Sequence, residues 1–180
     1  MAIWILEDNF ERTIAMRQVL RERYGIRTPP VFVAAQYFIE NIEAELSQAR
    51  LISLDHDLEM IEKHDGTFFD PGTGRDVADF LSSQKPVCPV IIHSTNVPAA
   101  VGMEVVLQEA GWETTRITPY DDIEWINDIW IETVQQYLGE SVPETVQAWP
   151  YSTLKRAKEV EQIVEERVRE VESGNKASIP

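Results

Sequence analysis

The sequence predicts an α/β fold, a three-layer arrangement with a doubly wound sheet of five parallel strands between helices. Two observations support this prediction. Short runs rich in branched and aromatic residues alternate with longer segments whose apolar residues recur every three or four positions. Runs of the first kind are typical of buried strands, and segments of the second kind are typical of amphipathic helices. Because crossovers between parallel strands are right-handed, the helices are expected on both faces of the sheet.

The first two strand–helix units are predicted in residues 2–46. Residues 2–6 form a short apolar run that ends at an acidic pair, which is typical of a buried strand. Asn9 can cap the helix that follows, and Gly25 is expected to end it. A second strand is predicted at residues 31–33, after a break at two prolines. The apolar positions of the two helices are Met16, Leu20 and Tyr24 in the first and Phe38, Ile39, Ile42 and Leu46 in the second.

Three more strands are predicted further along the chain, at residues 51–54, 90–92 and 113–118. The last of them alternates polar and apolar residues, as an edge strand does. Residues 63–72 predict a long loop, after which Thr73 and Asp76 resemble a helix capping box. Asn96 is a candidate cap for the fourth helix. The apolar stripes of the last three helices are Val77, Phe80 and Leu81; Met103, Val106, Leu107 and Ala110; and Ile123, Ile126, Trp130, Val134 and Leu138.

The chain is predicted to divide into an α/β domain over residues 1–140 and an appendage over residues 141–180. The appendage contains a linker, a charged helix over residues 154–172 and an end that is expected to be disordered. The helix has a narrow apolar stripe of valines, which fits docking on the domain or association with a partner or a second copy. The sequence leaves these alternatives open.

The composition excludes several classes of protein. Sixteen basic and 31 acidic residues give a formal net charge of −15, which argues against tight binding of duplex nucleic acid. The longest apolar runs are much shorter than the ~18 residues that span a bilayer, so no membrane contact is expected. The single cysteine, Cys88, excludes an internal disulfide and a cysteine-based zinc site. A cytoplasmic protein without an organic cofactor is the expectation.

Polar residues collect at the predicted carboxyl ends of the strands, where open α/β sheets bind their ligands. They are Glu7 and Asp8 after the first strand, Asp55, His56 and Asp57 after the third, His93, Ser94, Thr95 and Asn96 after the fourth, and Arg116 and Thr118 at the fifth. Such residues are costly to leave half-buried unless they are paired or used. The edge of the sheet is therefore the predicted functional site.

This pattern resembles the receiver domain of two-component signalling. A receiver has an acidic pair after its first strand, an aspartate after the third, a Ser or Thr after the fourth and a Lys-Pro after the fifth. Glu7-Asp8, Asp55 and Ser94 match the first three features. Thr118 stands where the lysine is expected, which argues against ordinary aspartyl-phosphate switching.

Four segments resemble the cyclic-phosphate processing receiver-like family more specifically, with a likeness that covers residues 2–138. They are Leu6-Glu7-Asp8-Asn9, Ile52-Ser53-Leu54-Asp55-His56-Asp57-Leu58, Thr73-Gly74-Arg75-Asp76-Val77 and His93-Ser94-Thr95-Asn96. The resemblance implies the receiver or flavodoxin-like strand order 2-1-3-4-5. It also implies action on cyclic phosphates through paired histidines.

The chemistry of that reaction suggests a role for each residue at the strand ends. His56 and His93 are the candidate general acid and base, because imidazole can accept and donate protons at neutral pH. Candidate phosphate-binding residues are Ser94, Thr95, Asn96, Arg75 and Arg116. Four carboxylates can hold Mg²⁺ or another divalent metal, or orient the histidines: Glu7, Asp8, Asp55 and Asp57.

Three functional hypotheses follow from the sequence. The first is a phosphoesterase acting on a small cyclic phosphate or on an RNA terminus. The second is a receiver-type signalling module that is phosphorylated on Asp55 or binds metal there. The third is a non-catalytic interaction module, in which the edge binds a ligand and the C-terminal helix recruits a partner. For the single motifs a structural role is the alternative: Asp55 and Asp57 can cap a turn, Ser94 to Asn96 can be only a helix cap, and Arg75 can be a surface residue.

Overall fold

The computed structural model describes residues 2–63 and 65–139. The seven strands in this part of the chain are β1 (Ala2–Leu6), β2 (Val31–Phe32), β3 (Ala49–Asp55), β4 (Ile61–Glu62), β5 (Phe68–Phe69), β6 (Val90–His93) and β7 (Thr114–Ile117). Five of them form one parallel sheet in the order β2-β1-β3-β6-β7. Counting only these five strands, this is the predicted order 2-1-3-4-5, and the predicted doubly wound fold is confirmed.

Helices follow the strands of the parallel sheet as expected. The α-helices are α1 (Phe10–Tyr24), α2 (Ala35–Ile42), α3 (Gly74–Ser82), α4 (Val97–Glu109) and α5 (Ile131–Leu138). The cap of Asn9 on α1 and the left-handed Gly25 that ends it are both present. The predicted capping box of Thr73 and Asp76 is also present at the start of α3. Local sequence therefore sets these boundaries.

Two features differ from the sequence prediction. The loop predicted at residues 63–72 contains β5, which pairs with β4 in a small antiparallel hairpin. Phe69 of this hairpin stacks on Tyr37 of α2, with ring centroids 5.7 Å apart. The sequence did not predict the hairpin because two-residue strands are too short to give a periodic signal. The last helix was expected to run through Ile126 and Trp130, but the segment Ile126–Trp130 is a π-helical turn that precedes α5.

Alternation along the strands decides which side chains reach each face of the sheet. In β1, Ile3 and Ile5 belong to the core cluster that includes residues of α1 and α5. Trp4 packs instead against Phe32 and Phe38 on the other side. The same period continues beyond the strand, so Glu7 follows Ile3 and Ile5 onto the face of α1 and α5.

The remaining sequence predictions for the appendage fall on residues 140–180, which lie outside the described residues. They include the domain end at residue 140 and the charged helix at residues 154–172. His64 also lies outside them. Within the described residues, no helix combines the length and the apolar character that crossing a membrane requires.

Candidate active site

Three buried side chains meet at the carboxyl edge of the sheet: Glu7, Asp55 and His93. Glu7 and His93 have no exposed surface, and Asp55 is 5% exposed. Asp55 of β3 pairs in register with His93 of β6, while Leu6 at the end of β1 pairs with Leu54. The register and the period of two therefore bring the three side chains together, with one ligand atom of each within 4.8 Å of the others.

Each carboxylate of this cluster is held by a backbone amide through one of its two oxygens. The amide of Asn9 donates to Glu7 Oε1 at 2.9 Å, and the amide of His56 donates to Asp55 Oδ1 at 2.6 Å. Of the other oxygens, Glu7 Oε2 faces His93 and Asp55 Oδ2 lies near Arg12. His93 Nε2 lies 3.3 Å from Glu7 Oε2, but the pair does not have hydrogen-bond geometry, so both atoms are buried without a hydrogen-bond partner among residues 2–63 and 65–139.

The ring of His93 is held from its other side by two residues of the core. His93 Nδ1 lies 3.1 Å from Ser53 Oγ, and Trp130 Nε1 donates to the same hydroxyl oxygen at 3.0 Å. Trp125 packs beside the imidazole, with ring centroids 5.4 Å apart. Trp125 immediately precedes the π-helical turn and Trp130 is its last residue; such irregularities are frequent at functional sites.

Arg12 is a functional candidate that the sequence analysis missed. Its Nη1 lies 3.9 Å from Glu7 Oε2 and 3.7 Å from Asp55 Oδ2, and its side chain is 24% exposed. The guanidinium also lies 5.9 Å from the centroid of the Trp125 ring. Arg12 is in the first turn of α1, and its position on the helix that leaves the acidic strand end is the signal that could have found it.

His56 belongs to a second, more exposed cluster at the same edge. Its Nδ1 lies 2.7 Å from Asp57 Oδ1, with 15% of the histidine side chain and 56% of the aspartate side chain exposed. Asn96 Nδ2 donates to the same Asp57 oxygen at 3.3 Å. A carboxylate that accepts from Nδ1 fixes the tautomer in which Nε2 is the basic nitrogen of the neutral ring. The two predicted catalytic histidines thus lie in different clusters.

The amino terminus of α4 adjoins the exposed cluster through Asn96. Ser94 is 3% exposed and accepts the Asn96 amide through Oγ at 3.0 Å, while Thr95 is exposed. Asn96 Oδ1 in turn accepts the amide of Ala99 at 3.3 Å, as its predicted cap role requires. The residues predicted to bind phosphate therefore shape a helix amino terminus beside His56.

Other predicted site residues make contacts elsewhere. Asp8 accepts a hydrogen bond from the amide of Glu59. Arg75 Nε pairs with Asp79 at 2.7 Å, and Arg116 Nε pairs with Glu104 at 2.6 Å. The contacts described for these two arginines thus place neither guanidinium on the Glu7–Asp55–His93 cluster.

The comparisons with known proteins agree with this geometry. The sequence matches the cyclic-phosphate processing receiver domain over residues 5–109. The chain belongs to the cyclic-phosphate processing receiver family. No curated protein sequence matches it significantly. The recognition made from the strand-end motifs is therefore confirmed.

Solved structures of receiver domains share the fold of this cyclic-phosphate processing receiver domain. The phosphorylated cyanobacterial phytochrome response regulator RcpA is 17% identical, with a TM-score of 0.56 over 78% of this chain and 96% of its own. The bacteriophytochrome response regulator RtBRR is 13% identical, with a TM-score of 0.55 over 94% and 96%. A receiver domain from Rhodospirillum rubrum is 17% identical, with a TM-score of 0.54 over 79% and 100%. At these identities the likeness concerns the fold alone.

The structure does not group all four carboxylates that were predicted as metal ligands. Receiver domains bind Mg²⁺ at acidic residues, and four carboxylates were predicted here as metal ligands. Asp8 accepts a hydrogen bond from the amide of Glu59, and Asp57 contacts the ring of His56. Glu7 and Asp55 lie instead beside the imidazole of His93. A metal held by this cluster would therefore have one nitrogen and at least two oxygen ligands.

Burial is the main reason why the pKa of Asp55 is raised to about 6. The positive charge of His93 lowers this pKa, and the negative charge of Glu7 raises it further. The folded state therefore holds this proton more tightly than the unfolded chain, whose carboxyl titrates near its ordinary value of 3.8. The stabilisation that comes from protonated Asp55 is therefore complete below about pH 4 and is lost as the pH rises through 6. Ionised Asp55 thus costs folded stability at neutral pH, by about 2–3 kcal/mol.

We expect Asp55→Asn to raise the melting temperature by several degrees at pH 7.5 in the presence of EDTA, because it removes that cost. The gain should shrink toward zero as the pH approaches 4. Thermal unfolding followed by circular dichroism at both pH values measures this difference. The exposed Asp79→Asn variant is the matched control and should show no such gain. A lower melting temperature for Asp55→Asn at pH 7.5 would contradict the interpretation.

Proposed function

We propose that this chain is a phosphoesterase that opens cyclic phosphates at the carboxyl edge of its sheet, with His56 as its principal acid–base group. The observation that carries the proposal is the His56–Asp57 contact of 2.7 Å at a partly exposed edge. An imidazole oriented by a carboxylate can take a proton from water or give one to a leaving oxygen at neutral pH. Membership of the cyclic-phosphate processing family supports the same substrate class.

The phosphate of the substrate is proposed to bind at the amino terminus of α4. The amino end of a helix carries partial positive charge, which favours anions. In α4 the Val97 amide already donates to the Thr95 carbonyl, and the Ala99 amide donates to Asn96 Oδ1. Pro98 has no N–H, so the helix dipole rather than free amides supports binding there. Asn96 links this terminus to the exposed cluster, since its side chain contacts Asp57 and its backbone is held by Ser94. The hydroxyl of exposed Thr95 is a further donor for a phosphoryl oxygen.

The two histidines are proposed to have unequal roles. Water that attacks phosphorus must lose a proton, and the ring oxygen that leaves must gain one. His56 is partly exposed and can perform the first transfer, while solvent at this open edge can supply the second proton. His93 has no exposed surface and faces Glu7, so we propose that it acts on the substrate only through the buried cluster.

The two other hypotheses have weaker support. Phosphorylation of Asp55 requires a phosphodonor to reach a carboxylate that is 5% exposed, whose Oδ1 already accepts the His56 amide. Thr118 also replaces the lysine that receivers have at this position. For a module that recruits partners, the relevant helix lies in the residues outside the described part of the chain.

The test is a hydrolysis panel with the full chain. We expect the protein to open nucleoside 2′,3′-cyclic phosphates, and RNA that ends in a cyclic phosphate, to the monoester. A duplex without such an end should not bind. The net charge of −15 makes a small or terminal ligand the expected partner. The linear monoester product is the control and should be left intact. Failure to open any cyclic phosphate in the panel would overturn the proposal.

A further inference from the structure

We propose that the hairpin of β4 and β5 binds the base of a nucleoside cyclic phosphate on its outer face, which is defined by Met60, Glu62 and Phe68. Phe68 is the surface on which the base stacks. The inference rests on the proposed function and deepens it, because it makes the substrate a mononucleotide rather than a cyclic phosphate of any kind. No step of the reaction is assigned to the hairpin, so base binding and hydrolysis can be tested separately.

The first argument is the exposure of two apolar side chains on one face. Phe68 is 60% exposed and Met60 is 54% exposed, which makes them the two most exposed large apolar side chains among residues 2–63 and 65–139. Glu62 pairs with Phe68 in the hairpin, so both project to the same face, and Met60 follows Glu62 by the strand period of two. Diagonal neighbours of this kind lie about 7–8 Å apart, close enough for one planar ligand to contact both.

The second argument is that the opposite face of the hairpin is already packed. Phe69 stacks on Tyr37 of α2 with ring centroids 5.7 Å apart, and Lys63 Nζ lies 5.8 Å from the centroid of the Phe69 ring. Ile61 pairs with Phe69 and shares this packed face. The stack holds the hairpin on α2 and leaves the outer face turned away from that helix. A surface that is fixed before the ligand arrives loses little conformational entropy on binding.

The third argument is the position of the hairpin beside His56. Asp57 forms a bridge with Thr73, and the Gly74 amide donates to the His56 carbonyl at 3.0 Å, so both ends of the hairpin segment are tied to the edge of the sheet. Met60 follows Asp57 by three residues, which span at most about 11 Å of extended chain. The outer face therefore begins within the length of a nucleoside from the acid–base group of the proposed reaction.

The size of the outer face fits one base better than a protein. A stable protein partner or a second copy of the chain needs about 800 Å² of surface on each side, far more than two side chains offer. A single base needs only one aromatic ring on which to stack. A methionine beside that ring adds a flexible apolar contact.

The charge around the hairpin indicates which part of the substrate lies there. Lys63 lies over the Phe69 ring on the packed face, so its charge does not face the ligand. Exposed carboxylates belong to Glu59, Glu62, Asp65 and Asp70. Carboxylates accept hydrogen bonds from the N–H groups of a base but repel phosphate groups. The hairpin therefore fits the uncharged base of a single nucleotide, whereas a longer RNA end would bring further phosphates against these carboxylates.

Steady-state kinetics of the full chain test the inference with two substrates that share a five-membered cyclic phosphate. One is adenosine 2′,3′-cyclic phosphate, and the other is glycerol 1,2-cyclic phosphate, which has no base. Phe68→Ala should raise KM for the nucleotide about 10-fold relative to KM for the glycerol ester, without a matching fall in kcat. Phe68→Trp should restore the KM ratio, because it keeps an aromatic surface. Ile14 is 47% exposed on α1, and Ile14→Ala is the matched control that should keep the KM ratio of the wild type.

Calorimetric titration with adenosine 2′,3′-cyclic phosphate measures base binding without turnover. In a protein that carries His56→Ala, the further substitution Phe68→Ala should weaken binding about 10-fold. Circular dichroism establishes that each variant is folded. Because most of the Phe68 side chain is exposed, its removal should leave the melting temperature close to that of the parent protein.

A KM ratio or an affinity in folded Phe68→Ala equal to that of its parent protein would overturn the inference, and so would an equal change in Ile14→Ala. Failure of this inference and failure of the proposed function give different results. Hydrolysis of both substrates without dependence on Phe68 would refute only the base-binding face. Binding that depends on Phe68, in a chain that opens no cyclic phosphate, would refute only the phosphoesterase.

Discussion

Replacing His56 by alanine is expected to lower kcat for opening a cyclic phosphate by about 10²–10⁴-fold, with a much smaller effect on KM. The imidazole is the proposed, partly exposed acid–base group of the edge, and alanine leaves Asp57 without the ring that it orients. Asp57→Asn should lower kcat less, because the imidazole remains but its tautomer is no longer fixed. Steady-state assays with a nucleoside 2′,3′-cyclic phosphate measure both changes.

The controls for this prediction use residues outside the exposed cluster. Arg75 pairs with Asp79 along α3, and Arg75→Ala should keep kcat close to that of the wild type. Equal kcat values for His56→Ala and wild type would contradict the assignment.

Replacing Gly74 by alanine is expected to destabilise the domain by about 3 kcal/mol or more and to displace the edge of the sheet that carries the candidate site. A Cβ at this position would lie 2.0 Å from the backbone oxygen of Asp55, so the backbone of β3 or α3 must move. The Gly74 amide also donates to the His56 carbonyl at 3.0 Å. The same shift therefore moves Asp55 and His56 together. Chemical denaturation gives the stability change, and hydrolysis assays give the loss of activity.

Gly102→Ala is the matched control for this substitution. Gly102 lies inside α4, and its added Cβ would meet only the end of the Arg75 side chain at 3.3 Å. Alanine is the better helix former by roughly 1 kcal/mol, so this variant should be neutral or slightly more stable. A Gly74→Ala variant as stable as Gly102→Ala would show that the approach of α3 to β3 is looser than described.

The sequence was sufficient to predict the fold and the edge that carries the candidate site. Short strands, caps such as Asn9 and the capping box at Thr73 are local features, and local features determine most element boundaries. Parallel strands bring their carboxyl ends to one edge whatever the details of packing. That rule alone located Glu7, Asp55 and His93 on one side of the molecule.

The grouping of the side chains within that edge could not be predicted in the same way. The family resemblance implied that His56 and His93 act as a pair, but consecutive residues of a strand point to opposite faces, and His93 shares the parity of Asp55. Asp55 therefore joins His93 in the buried cluster, while His56 pairs with Asp57. Arg12 was missed because it lies in the first turn of α1, beyond the strand end itself.

The most direct test of the central claim is ³¹P NMR of wild-type protein with adenosine 2′,3′-cyclic phosphate in ¹⁸O-labelled water, with His56→Ala beside it. The account predicts that the wild type produces a monoester carrying one ¹⁸O, at a rate at least 10²-fold above that of the variant. The absence of a monoester signal with the wild type, or equal rates for the two proteins, would contradict it.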